Sequence, residues 1–162
     1  MLLVMVYISL AAAVVAVALT AVMSAFRTTG GLDASRKALE AAEYGEIQAV
    51  ANLGEGKSAD LGLAEWRKLR EQAASTPAGR RRLPALGEPG VAPLVLASAP
   101  GVEYVAMADV SAKPGVVLVY ALGRCGNVDR RVEAVYRPAD AGDGTQPTRF
   151  TRIAWRELPP AR

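Results

Sequence analysis

Twenty-six residues pass before the first charged side chain: "MLLVMVYISLAAAVVAVALTAVMSAF" stands ahead of Arg27. Nothing else in the chain constrains its fold as strongly. Wound as an α-helix, such a run spans about 39 Å, more than the roughly 30 Å hydrocarbon core of a bilayer. A secretory signal peptide has a basic start, an apolar run of about 7 to 15 residues and a small-residue cleavage site. This segment has no basic start, and its apolar run is too long. Small residues recur along it (Ser9, Ala11, Ala12, Ala13, Ala16, Ala18, Ala21, Ser24, Ala25), so a neighbouring helix could approach closely. Composition therefore leaves two readings, a single-pass anchor and a helix buried among copies of itself.

All 19 basic and 16 acidic residues lie beyond this run, giving a net charge of +3 on a mixed surface that points to no polyanionic partner. The remaining length suits one modest domain with a single core. The chain has no histidine, and Cys125 is its one cysteine, so no disulfide can close within it and the common zinc ligand sets are missing. An imidazole acid, base or triad is excluded.

"DASRKALEAAEYGEIQAVANLGEG" reads as a second helical stretch, with Asp33 as its N-cap and Gly54 and Gly56 stopping it after Leu53. Leu39, Ala42, Val50 and Leu53 share one face, flanked by Ile47 and Ala49. Glu46 projects into that stripe and Glu43 lies beside it. These carboxylates either edge a solvated face or, where buried, meet basic groups on a neighbouring subunit. Between the two helical stretches, Gly30 and Gly31 in "RTTGG" each weaken a helix by about 1 kcal/mol relative to alanine, which predicts a bend or melted turn.

"SADLGLAEWRKLREQAAS" predicts a short amphipathic helix capped by Ser58 or Asp60, with Leu63, Trp66, Leu69 and Ala73 on its apolar face. "TPAGRRRLPALGEPGVAP" reads as a loop carrying the basic cluster Arg80, Arg81 and Arg82. From residue 93 the hydrophobic period becomes two. "PLVLASA", "VEYVAMADV", "GVVLVYALGR", "RRVEAVYRP" and "TRFTRIAWRELP" are five strand candidates joined by short turns, which predicts an antiparallel meander. In the fourth, Val132, Ala134 and Tyr136 alternate with Arg131, Glu133 and Val135. A one-sided sheet must cover its apolar face, and the second helical stretch offers the stripe to do so. The expected fold class is α+β: a long N-terminal helix, hydrophobic and protruding in its first half and amphipathic in its second, packed on an antiparallel head. Its expected divisions are 1–26, 27–56 and 57–162.

No motif for chemistry stands out. "DAGDGT", with Asp140 and Asp143, lacks the alternating ligands and distal glutamate of an EF-hand and reads as a hairpin loop. "EGKSADLG" lacks the glycine spacing of a phosphate-binding loop. Cys125 sits in the turn "GRCGN" with no companion thiol. No catalytic, cofactor-binding or metal-binding residue is assigned.

The charge-free run, "Arg-Thr-Thr" directly after it, and "ALEAAEYGEIQAVANL" together resemble the N-terminal helix of type IV pilin-like proteins, closest to PilX-type minor pilins and the large minor pseudopilins of type II secretion. In that branch an "Ala-Ala-Glu-Ala-Gly-Leu" motif follows; here Ala41, Ala42, Glu43 and Gly45 match it, while Tyr44 and Glu46 depart. Met5 stands where most pilins carry a glutamate, as in some members of the branch, and leans toward a rare initiating or tip subunit. The resemblance covers residues 1 to about 54. It implies a structural filament subunit without catalysis or cofactor, with Met1 as the processed, N-methylated terminus and Met1, Leu2, Leu3, Met5, Ala11, Ala12 and Ala16 as assembly contacts. Leu39, Ala42, Glu43, Glu46, Val50 and Leu53 would pack against the head or a neighbouring subunit. The implied partners are copies of the chain or other pilins, the inner membrane before assembly, a prepilin peptidase and an assembly platform. The filament would lie outside the cell or in the periplasm. DNA enters only as a contact of Arg80, Arg81 and Arg82. The alternative is a single-pass envelope protein whose head is a binding or scaffolding module that never polymerises.

Overall fold

The computed structural model describes residues 2–73, 85–113, 115–139 and 149–159. The chain divides into two units, Met1–Ala34 and Ser35–Arg162. Helix α1 (Leu2–Gly54) contributes to both. It stays helical through Gly30 and Gly31, so the expected melted turn is absent. The penalty of two glycines is small against a helix continued on both sides by good helix formers, and a Cβ at either position would meet open space. Asp33 is accordingly an interior residue of α1 and not an N-cap.

The end of α1 follows the glycines. Gly56 has φ 70°, its N–H donates to the Leu53 carbonyl at 3.1 Å, and the Lys57 N–H donates to the Asn52 carbonyl at 2.8 Å. This is a Schellman closure, for which the left-handed backbone at Gly56 is required.

In the second unit, helix α2 (Ala64–Ala73) precedes strands β1 (Leu94–Val95), β2 (Val102–Lys113), β3 (Val116–Cys125), β4 (Val128–Pro138) and β5 (Phe150–Leu158). They form one antiparallel sheet in the order β1-β2-β3-β4-β5, the meander expected from the short turns. The strand expected over 93–99 shrinks to two residues, its neighbours being taken up by turns. Neither Ser58 nor Asp60 caps α2. The Asp60 carboxylate is held by Arg67 at 2.7 and 2.9 Å, and the first turn of α2 is closed by the Trp66 N–H donating to the Gly90 carbonyl at 3.0 Å.

The sheet is covered on both faces by the alternation of its strands. Val117, Val119 and Ala121 of β3, with Ala106, Ala108, Val132, Ala134 and Tyr136, form one cluster with Ala42 and Ala49 of α1. Tyr120 and Leu122, with Val105 and Met107, form the other with Leu63, Trp66 and Leu86. Trp66 is a core residue, and its indole N–H donates to Glu88 at 2.9 Å. Leu69, expected on the same face, is 45% exposed. Cys125 ends β3 opposite Val128, half-buried, beside the two-residue turn at Gly126.

Candidate assembly surface and the buried carboxylate

In the first unit, Val14, Val15, Val17, Leu19, Val22 and Met23 are each between 52% and 68% exposed, so the apolar surface of α1 is presented all round. The hydroxyls within and just after this stretch turn back onto the helix. Thr20 donates to the carbonyls of Ala16 and Val17, Ser24 to Ala21, Thr28 to Ser24 and Thr29 to Ala25, at 2.8–3.1 Å. With backbone groups satisfied internally and hydroxyls bonded to carbonyls of the same helix, little polar surface remains to resist hydrocarbon. The helix is long and apolar enough to cross a membrane. Leu2, Leu3, Met5, Ala11 and Ala12 lie within α1, and Ala16 is exposed on it. Met1 lies outside the described residues, as do Arg80, Arg81 and Arg82 and the loop from Asp140 to Thr145.

In the second unit α1 solves a different problem. Ala38, Ala41, Ala42, Gly45, Glu46 and Ala49 are its buried positions. Their spacing, i, i+3, i+4, i+7, i+8 and i+11, traces one helical face. The face is made of small residues because the backbones come close. A Cβ added at Gly123 of β3 would stand 2.1 Å from the Ala38 carbonyl oxygen and 2.6 Å from the Ala42 nitrogen. One added at Gly45 would stand 2.8 Å from the Tyr104 ring. Tyr104 in turn meets Tyr44 edge to face, with ring centroids 5.4 Å apart. Leu39, Val50 and Leu53 are partly buried against the cluster's flank. The buried face is thus rotated from the sequence-derived stripe toward Ala38, Ala41 and Gly45, and Ile47, expected beside the stripe, is 56% exposed. The large residues flank the contact because its centre has no room for them.

Glu46 is the one charged residue on this face, and it is fully buried. It does not edge a solvated face, and two partners reach it from its own chain. The Tyr136 hydroxyl of β4 donates to Glu46 Oε1 at 2.6 Å, and Arg152 Nη1 of β5 approaches the same oxygen at 3.3 Å. Glu46 Oε2 is buried without a partner among the described residues. Burial, and then the hydrogen bond to Glu46, push the Tyr136 phenol far above the usual tyrosine range. Glu43 beside it is half-buried. A second bridge ties α1 to the sheet, where the Arg130 guanidinium of β4 donates to the Ser35 hydroxyl and pairs with Glu157 of β5 at 2.8 Å.

Tyr136 and Arg152 went unrecognised as partners of Glu46 in the sequence, since pairing residues some 90 and 106 positions apart depends on sheet register. The small-residue spacing from Ala38 to Ala49 and a glycine inside the apolar run of β3 were the available signals for the close contact. Elsewhere, a cavity of about 200 Å³ lies among Leu53, Val110, Val116, Val117, Pro138 and Phe150, with no titratable group in its wall among the described residues. Among the described residues no group of three histidines, cysteines or carboxylates could hold a metal.

No protein-family model, curated protein or solved structure matches the chain. Its architecture, one long helix with an apolar N-terminal part and an antiparallel sheet, is compatible with a pilin-like fold.

Proposed function

We propose that this chain is a structural filament subunit of the type IV pilin or pseudopilin kind, of the PilX-like minor branch, held by its apolar helix in the inner membrane before assembly and packed through it against other subunits afterwards. One observation carries the reading. A single α1 is wholly exposed and apolar over residues 14–25, yet over 38–49 it is built into the sheet core through small residues. Transfer from lipid to a bundle of like helices keeps the surroundings apolar and the backbone bonds internal, so exchange between the two is energetically reasonable. The partners would be copies of the chain or other pilins, with a prepilin peptidase and an assembly platform acting on the N-terminal stretch. The work is mechanical, with the head forming the filament surface and no bond made or broken.

The exposed apolar helix equally suits a single-pass envelope module that never polymerises. Intact-mass and N-terminal peptide analysis of the native protein separates the two. A chain beginning at N-methylated Met1 supports filament assembly; an unprocessed initiator methionine favours the anchored module. Scrambling residues 5–25 at constant hydrophobicity provides a second test, since an anchor tolerates it and a helix that packs on its own copies does not.

A further inference from the structure

β5 is the last strand in the sheet order, and no described strand pairs with its outer side. Such an edge presents a row of backbone N–H and C=O groups, a template for another strand. Residues 151–157 are all exposed. Register places Trp155 opposite Ala134, on the α1 side of the sheet, and Ala154 and Arg156 opposite Val135 and Glu133, on the other. Ile153 sits at the bulge and is 47% exposed, and Trp155 is 38% exposed.

The charge that reaches solvent here is positive. Arg137 and Arg149 are exposed. Arg152 and Arg156 are 48% and 67% exposed, whereas their carboxylate partners Glu46 and Glu133 are only 0% and 15% exposed. Glu157 is the one acid along the strand, and it is paired with Arg130.

We propose that the β5 edge accepts an extended peptide strand of alternating apolar and acidic residues as a sixth strand of the sheet. Main-chain hydrogen bonds to Ala154–Leu158, beyond the bulge, hold it. Its apolar side chains lie on the α1 side beside Trp155 and Ile153, and its carboxylates, on the opposite side, reach the exposed guanidinium of Arg156. The site lies wholly in the second unit and does not rest on the filament reading.

The test uses the full chain in a nonionic detergent, titrated with a synthetic octapeptide alternating valine and glutamate. Tryptophan fluorescence and hydrogen exchange are read together. The expected result is a saturable fluorescence change that Trp155→Phe abolishes while Trp66 remains, and at least tenfold slower exchange at β5 amides. A valine-lysine octapeptide should bind at least tenfold more weakly, and Arg156→Gln should weaken the acidic peptide at least threefold. Unchanged exchange at β5 would overturn the proposal and mark the bulge and arginines as guards that keep the edge closed. Equal binding of the lysine peptide would overturn it, as would β5 protection that rises with protein concentration in the absence of peptide, which would assign the edge to a second copy.

Discussion

Two stretches of α1 are made largely of alanine and other apolar residues and reach opposite ends. Over 14–25 the valines, leucine and methionine are exposed, whereas over 38–49 alanines and a glycine are buried against β2 and β3. The difference teaches that apolarity alone does not decide burial within a chain. The first stretch has nothing in its own unit to pack on, so its stability depends on what surrounds it. The second is held by a fit so close that Gly123 has no room for a side chain.

The sharpest way to break this contrast is at the tight contact. Gly123→Val forces α1 away from β3 and should cost ~3 kcal/mol or more, read by denaturant unfolding of the detergent-solubilised chain. The converse change belongs to the exposed stretch. Val17→Lys should raise the cost of membrane insertion by ~3 kcal/mol while leaving unfolding of the second unit within about 0.5 kcal/mol, checked by membrane fractionation alongside denaturation. If both readouts moved equally, the two stretches would not be independent.

A smaller effect is expected at Tyr136. Tyr136→Phe removes the hydroxyl that supports Glu46 and should cost ~1–2 kcal/mol near neutral pH. Its pH signature has a definite sign. The folded phenol holds its proton to higher pH than the usual value of 10.0, so unfolding above that value releases a proton. The stability contributed is complete below about pH 10 and declines as pH rises beyond it. Tyr136→Phe should therefore flatten part of the alkaline loss seen in the parent chain. Smallest of all, Gly31→Ala points into open space within α1 and should raise helix stability by up to ~1 kcal/mol, measured as increased helical signal on heating.

Legibility followed distance along the chain. The apolar run, the stop at Gly54 and Gly56, the strand alternation of Val132, Ala134 and Tyr136, and the antiparallel order were readable because each depends on neighbouring residues and local turn chemistry. The expectation of a melted turn at Gly30 and Gly31 failed because a local propensity penalty was weighed without the continuity of the helix on either side. The caps assigned to Ser58 and Asp60 failed because Asp60 has a better partner in Arg67, and the burial of Leu69 was overestimated from spacing alone.

By itself the amino-acid order determined that a long uncharged helix precedes a sheet-forming remainder, since hydrophobic period and charge placement are one-dimensional properties. Tertiary structure alone decided which face of α1 is buried, because that choice rests on Gly123 lying beneath Ala38 and Ala42, a steric match across more than 80 positions. It alone also decided that Glu46 Oε1 finds its partners within the chain. A carboxylate on an apolar face shows its need for a partner in any sequence, but Tyr136 and Arg152 reach it only once β4 and β5 are aligned in register.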